Sequence, residues 1–525
     1  MSAASYDAIP YTSYPYDRTH PDRLATVGAL FGMRPTLPSQ ARILELGCAS
    51  GGTLLPLAEQ LPGAELVGID LSPRQVALGN EAIAGAGLLN VALHVGDLTE
   101  IDAGWGEFDY IVCHGVLSWV SEAVRERILE VIAQRLRPQG IGLVSYNTYP
   151  GWHLRQSVRE MMLYHVAQFE DPTRRAEQAK ALLDFVAEHG PSAGQSGNAG
   201  FSALMKREAE LLRKLPDGYL FHEHLEEHNT PLYFHELEAR LRAHGLAYLG
   251  DADVATMMTS PLPDEAAQQL QEISPDLVRL EQYLDFVRGR QFRTTLVCRG
   301  DVPLSRKLGG ERVLDRLVAL SPDAASSTET IDLAPGVTQA FQCGGITVRS
   351  DVPITKAALQ VLLARKPMAV PFSSLLAKAR VVLGEAGLET KAGDESTLAA
   401  DVVRCYLGAG VRLRTEAAAC VAQAGPRPRV SAYVRWQAAN LDFVTSVLHT
   451  RVELDLAARV VVQMLDGTRD RAALCAGLAD RVADGTLTLT RDGEPLADRA
   501  QWVEPLTAVL DHTLAAIAGG ALLLA

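Results

Sequence analysis

Glu45-Leu46-Gly47-Cys48-Ala49-Ser50-Gly51-Gly52 decides how the first third of this chain folds. It follows a short apolar run, Ala41-Arg42-Ile43-Leu44, and opens an apolar-periodic segment from Thr53 to Leu61. That order reads as a strand, a glycine-rich turn and a helix. Such a turn lets backbone approach a ligand closely, and the helix behind it aims its N-terminal amides at the same place. The turn is thus expected to cradle a cofactor, and its flanks indicate which kind.

A nicotinamide dinucleotide would want Gly-x-Gly-x-x-Gly at this point. Gly47 and Gly52 keep the outer spacing, but Ala49 stands where the middle glycine should admit a pyrophosphate, and Glu45 precedes the loop. A second strand from Glu65 to Ile69 ends at Asp70-Leu71, where a carboxylate can accept both hydroxyls of a ribose. A third, Val91 to Val95, leads to Gly96-Asp97-Leu98, where an acid can meet an adenine amino group. A fourth, Phe108 to Cys113, runs into His114. Ser121 caps the next helix, which stops at Arg137-Pro138-Gln139-Gly140 before a fifth strand, Ile141 to Tyr146. These flanks favour S-adenosylmethionine. Its expected contacts are Glu45, Gly47, Cys48, Ala49, Gly51, Gly52, Asp70, Leu71, Asp97, Leu98 and His114. From about Ala41 to Pro150 the succession resembles the class I S-adenosylmethionine-dependent methyltransferases, an α/β, Rossmann-like fold.

The 525 residues leave room for three or four domains. A formal charge of −14 argues against a general nucleic-acid binder, which needs clustered Lys and Arg. Seven cysteines are scattered with no Cys-x-x-Cys pair, which suits a reducing compartment and points to the cytoplasm. The N-terminus shows neither a basic nor an apolar signal region, and the apolar tail from Ala515 is too short to span a bilayer.

Residues 1–40 are expected to form a tyrosine-rich arm and lid, with Tyr6, Tyr11, Tyr14 and Tyr16 ahead of a helix that starts near Pro21. Residues 41–165 are the expected cofactor-binding domain, and 166–305 a mostly helical central domain closing on a strand from Phe292 to Cys298. Short helices separated by turns suggest winged-helix-like units at 306–428 and 429–525.

Several segments together resemble one family: Tyr6-Asp7-x-x-Pro10-Tyr11 with Tyr14-Pro15, Thr19-His20-Pro21-Asp22-Arg23-Leu24, the glycine loop, Phe221-His222-Glu223-His224-Leu225, Tyr233-Phe234-His235-Glu236, Gln282-Tyr283-Leu284-Asp285-Phe286 and Arg435-Trp436-Gln437. They are similar to bacterial methyltransferases with a methyltransferase regulatory domain, whose best-known members methylate lysines of outer-membrane proteins. The resemblance implies a homodimeric enzyme with a non-catalytic central domain, winged-helix-like C-terminal domains and a protein acceptor. It leaves the acceptor itself open.

Methyl transfer from a sulfonium is an in-line displacement that needs positioning and a free lone pair. A lysine must first lose a proton, which an apolar or aromatic channel favours by disfavouring the ammonium. Tyr14, His114, Asn147 and Tyr149 are candidates for the acceptor side of the site. His224-Leu225-Glu226-Glu227-His228 fits the H-x-x-E-H pattern of some zinc proteases, but packing of the central domain is the preferred reading and no metal is expected. Two other functions stay open: transfer to a small molecule or natural-product peptide, and a non-catalytic regulatory protein that senses S-adenosylmethionine.

Overall fold

The computed structural model describes residues 12–190, 199–215, 220–226, 228–491, 494–496 and 498–524. Tyr6 and Tyr11 of the expected arm lie outside them. Seven strands form the central sheet: β1 (Arg42–Leu46), β2 (Glu65–Asp70), β3 (Val91–Val95), β4 (Phe108–Cys113), β5 (Leu136–Asn147), β6 (Leu246–Asp251) and β7 (Phe292–Arg299). Their spatial order is β3-β2-β1-β4-β5-β7-β6. The first five run parallel, and β7 lies antiparallel between β5 and β6.

Both faces of the sheet are covered, as parallel strands require. In β1, Ile43 enters one core with Leu24, Val27 and Leu54, while Leu44 and Leu46 enter the other with Ile128, Ile132 and Leu237. The period-two alternation thus sorts side chains between two helical layers. The order of strands reverses at β1, with β2 on one side and β4 on the other, so the glycine loop leaves the sheet at a topological switch point.

Two local expectations change. The helix Glu122–Arg135 gives way directly to β5, whose first residue, Leu136, pairs with Phe108. Pairing resumes only at Ile141, opposite Tyr110. Arg137 to Gly140 therefore form an excursion that holds Pro138, which has no N–H to give a ladder. The expected central domain, 166–305, also supplies β6 and β7, so one sheet spans both it and the cofactor-binding segment.

The C-terminal unit is a winged helix built on the helices Ala432–Asn440, Leu456–Met464, Arg471–Ala483 and Val503–Gly519, around a core that includes Val461, Leu474 and Leu510. It docks on the cofactor-binding segment: the amides of Ala432 and Tyr433 donate to the Glu59 carboxylate at 3.0 and 3.2 Å. The unit before it packs the helices Pro353–Arg365, Phe372–Glu385 and Asp394–Leu407 around Phe341 and Leu375. Among the described residues, no helix is long and apolar enough to cross a membrane.

Candidate active site

The loop after β1 is held by backbone alone where it matters most. The amides of Gly47 and Cys48 both donate to the Ile69 carbonyl at 2.9 and 3.1 Å, tying the turn to the end of β2. Gly47 has φ +75°, and a Cβ there would collide with Val116 Cγ2. Ala49 also takes a positive φ, +46°. Its amide donates to Asp70 Oδ2 at 2.8 Å, while the Ser72 amide donates to Oδ1 at 2.9 Å. Asp70 thereby joins the two loops that frame the mouth of β1 and β2.

A cavity of about 900 Å³ opens beyond these strand ends. Glu45, Gly47, Cys48, Ala49, Asp70, Leu71, Asp97, Leu98 and His114 line it, which gathers most of the contacts expected from the sequence. Gly51 and Gly52 do not line it: Gly51 closes the turn on the Cys48 carbonyl, and the Gly52 amide donates to Ser13 Oγ at 2.8 Å. Asp97 caps its own turn through Thr99.

Glu45 is the most perturbed acid of the cavity. It is buried, its Oε2 has no partner, and burial with Asp70 nearby pushes its carboxyl up to about 8, partly offset by Thr53. A buried polar atom without a partner is costly unless a ligand supplies one. An amino-acid ammonium beside a carboxylate and a ribose beside Asp70 are what S-adenosylmethionine would bring, so the residues present fit that group. When bound it supplies a methyl carried on a sulfonium.

The arm forms part of the cavity wall. Ser13, Tyr14, Tyr16 and Arg18 line it. Tyr16 lies 4.5 Å from the His114 ring, and Phe292 meets the other side of that histidine at 6.0 Å. His114 is half-buried, and desolvation lowers its pKa to about 4, so it is neutral at physiological pH. Tyr14 is clamped by the C-terminal unit, 5.2 Å from Phe443 with the Arg451 guanidinium 4.8 Å over its ring. The arm thus ties the cofactor loop to the winged helix. Gly52→Ala would place a Cβ 2.5 Å from Ser13 Oγ and 2.7 Å from its carbonyl carbon. We expect this substitution to free the arm, lowering turnover and quickening proteolytic cleavage near Ser13 with little change in melting temperature.

Asn147 lines the cavity at the end of β5, its backbone amide donating to Ser118 Oγ at 2.8 Å and its Nδ2 donating to Asn229 Oδ1 at 3.2 Å. Tyr149 does not line it. Thr148 is drawn to the Leu232 carbonyl at 2.7 Å, and Tyr149 stacks on His153 at 3.9 Å and tilts against Tyr233 at 5.1 Å. Tyr149 thus packs against Tyr233, the residue that precedes the helix Phe234–Ala243.

The sequence reading missed the central segment's share of the wall. His222, Glu223 and His228 line the cavity beside Trp152 and Arg155. His224 is fully buried, so the H-x-x-E-H residues divide between core and cavity. Glu227 lies outside the described residues, and among those described no group of three or more His, Cys, Asp and Glu is placed to hold a metal.

Comparison with known proteins agrees with this geometry. Residues 43–140 match the model of a methyltransferase domain, 216–299 that of a predicted methyltransferase regulatory domain, and 426–522 that of the PKMT C-terminal winged helix domain. An uncharacterized protein of Rickettsia prowazekii is 32% identical over 99% of this chain and 93% of its own length. The structure of PKMT2 from Rickettsia typhi is similar over 98% of this chain and all of that one, with 30% identity and a TM-score of 0.86. The same enzyme in complex with AdoHcy gives 0.87. With the three matched domains in this order, the first two lining the cofactor cavity, the chain belongs to the PKMT family of S-adenosylmethionine-dependent methyltransferases.

Proposed function

We propose that the enzyme transfers methyl groups to lysine side-chain nitrogens of a protein, acting in the cytoplasm as a homodimer. The observation that carries the acceptor class is the charge and composition of the cavity. Five acidic residues line it, Asp17, Glu45, Asp70, Asp97 and Glu223, against two arginines, Arg18 and Arg155. Such a wall attracts a cationic acceptor as well as a cationic donor. Trp152, Tyr16 and Phe292 add aromatic surface suited to a long aliphatic stem. The likeness to PKMT2 over nearly the whole chain supports a protein acceptor. The helix pair Gly151–Val166 and Pro172–His189 leaves Leu154, Tyr164 and Phe185 exposed, which supports a second copy as partner.

A step follows from the residues. Glu45 would hold the donor's ammonium and Asp70 its ribose, with the arm shielding the cavity from water and the acceptor nitrogen entering between His114, Asn147 and the central segment. The test is chemical identity of the product. After transfer of a labelled methyl to protein, acid hydrolysis should release the label as methyl-lysine. Release of the label by mild base would mark a carboxyl ester and overturn the lysine reading.

A further inference from the structure

The carboxylates of the cavity are not equivalent. Asp70 accepts from the Ala49 and Ser72 amides, Asp97 from Thr99, and Asp17 from Arg23 at 3.0 Å. Glu45 lies under the glycine loop, at the end of β1. That leaves Glu223, half-buried on the π-helical turn Phe221–Leu225 of the central segment. We propose that Glu223 binds the ammonium of the acceptor lysine and takes its proton, which makes the central segment part of the catalytic machinery. This inference rests on the lysine reading above.

The surroundings of Glu223 suit that task. Its cationic neighbours are engaged elsewhere: Arg155 donates to Glu208 at 3.3 Å, and Arg159 donates to the carbonyls of His224, at 2.7 Å, and Glu226. His222 stands 3.5 Å from the Glu226 carboxylate. Burial raises the carboxyl to about 7, against the pull of the Arg155 and Arg159 guanidiniums toward the charged form. A base with that affinity for protons exchanges them readily at neutral pH. His224 is held neutral by burial, so it does not compete for the proton.

The step balances simply. The Glu223 carboxylate accepts one proton from the lysine ammonium, which leaves a lone pair on Nζ. A nitrogen–carbon bond forms as the carbon–sulfur bond of the donor breaks, giving a methylated ammonium and a neutral thioether. Glu223 then releases its proton to solvent.

Glu223→Gln and Glu223→Asp test this in the full-length enzyme, with melting curves to establish that both fold. Two probes are used: n-butylammonium chloride titrated into the complex with S-adenosylhomocysteine, and labelled methyl transfer to the protein fraction of a source-cell lysate. Wild type should bind butylammonium, and transfer should rise as pH passes through about 7. Glu223→Gln should lose butylammonium binding and about 100-fold or more in transfer, with S-adenosylhomocysteine affinity kept within about twofold. Glu223→Asp should restore part of both. Transfer to protein lysine by Glu223→Gln at the wild-type rate and with the same pH profile would overturn the inference and leave the lysine reading standing. Glu223-dependent butylammonium binding without any protein label would do the reverse, keeping an amine site and removing the protein acceptor.

Discussion

Asp70→Ala should weaken binding of S-adenosylmethionine by roughly 10- to 150-fold, because a hydrogen bond to a charged group is worth about 1.5–3 kcal/mol. Two effects add. The carboxylate is placed at the end of β2, where the hydroxyls of a ribose would donate to it, and it already organises the site by accepting from the amides of Ala49 and Ser72. Ala49 is held at φ +46°, a backbone state that L-residues enter only when their surroundings enforce it. Removing Asp70 lets that turn relax, so the empty site should lose order as well as a ligand contact. Titration calorimetry reads the affinity, and hydrogen exchange at Gly47 to Gly51 reads the loosening. Unchanged affinity would take Asp70 out of the site.

Glu45→Gln should separate stability from affinity. In the cofactor-free protein Glu45 is raised from 4.5 to about 8, so between those values the folded state binds more protons than the unfolded one. The stability this shift represents is full below about pH 4.5 and is lost as pH rises through about 8. Glutamine cannot ionise, so the variant's melting temperature should exceed that of wild type near pH 8 and vary less with pH. Cofactor binding should move the other way. An ammonium beside Glu45 stabilises the carboxylate, so binding of S-adenosylhomocysteine at pH 7 should release close to one proton from wild type and almost none from the variant. Calorimetry in two buffers of different ionisation enthalpy measures that release. Loss of the buried charge partner should cost about 3–5 kcal/mol, or more than 100-fold in affinity. Equal affinity in Glu45→Gln would assign Glu45 to loop structure alone.

The first five strands were legible because their signals are local. Apolar runs alternate with helical periods, and Gly47, Asp70 and Asp97 each sit at a strand end, where an open α/β sheet binds ligands. Of the two added strands, Leu246–Asp251 was not, and Phe292–Arg299 read as a strand but not as part of this sheet. Tyr146 pairs with Arg293 across a separation no local pattern encodes, and the intervening helices read as a domain of their own. Glu223 escaped for a related reason. In the sequence it belongs to a run rich in His and Glu that suggests packing or a chance metal pattern. Only the π-helical turn shows that His224 faces the core while Glu223 lines the cavity. Tyr149 erred the other way, since its place after β5 suggested the mouth of the site, but Thr148 turns the chain aside through the Leu232 carbonyl.

Transfer of a labelled methyl from S-adenosylmethionine into a lysate of the source cells, separated into protein and small-molecule fractions, decides whether the acceptor is a protein lysine. Lysine methylation of a protein puts label on discrete protein bands that maps to lysine by mass spectrometry and disappears with Asp70→Ala. Label confined to the small-molecule fraction, or cofactor bound without any transfer, would contradict it.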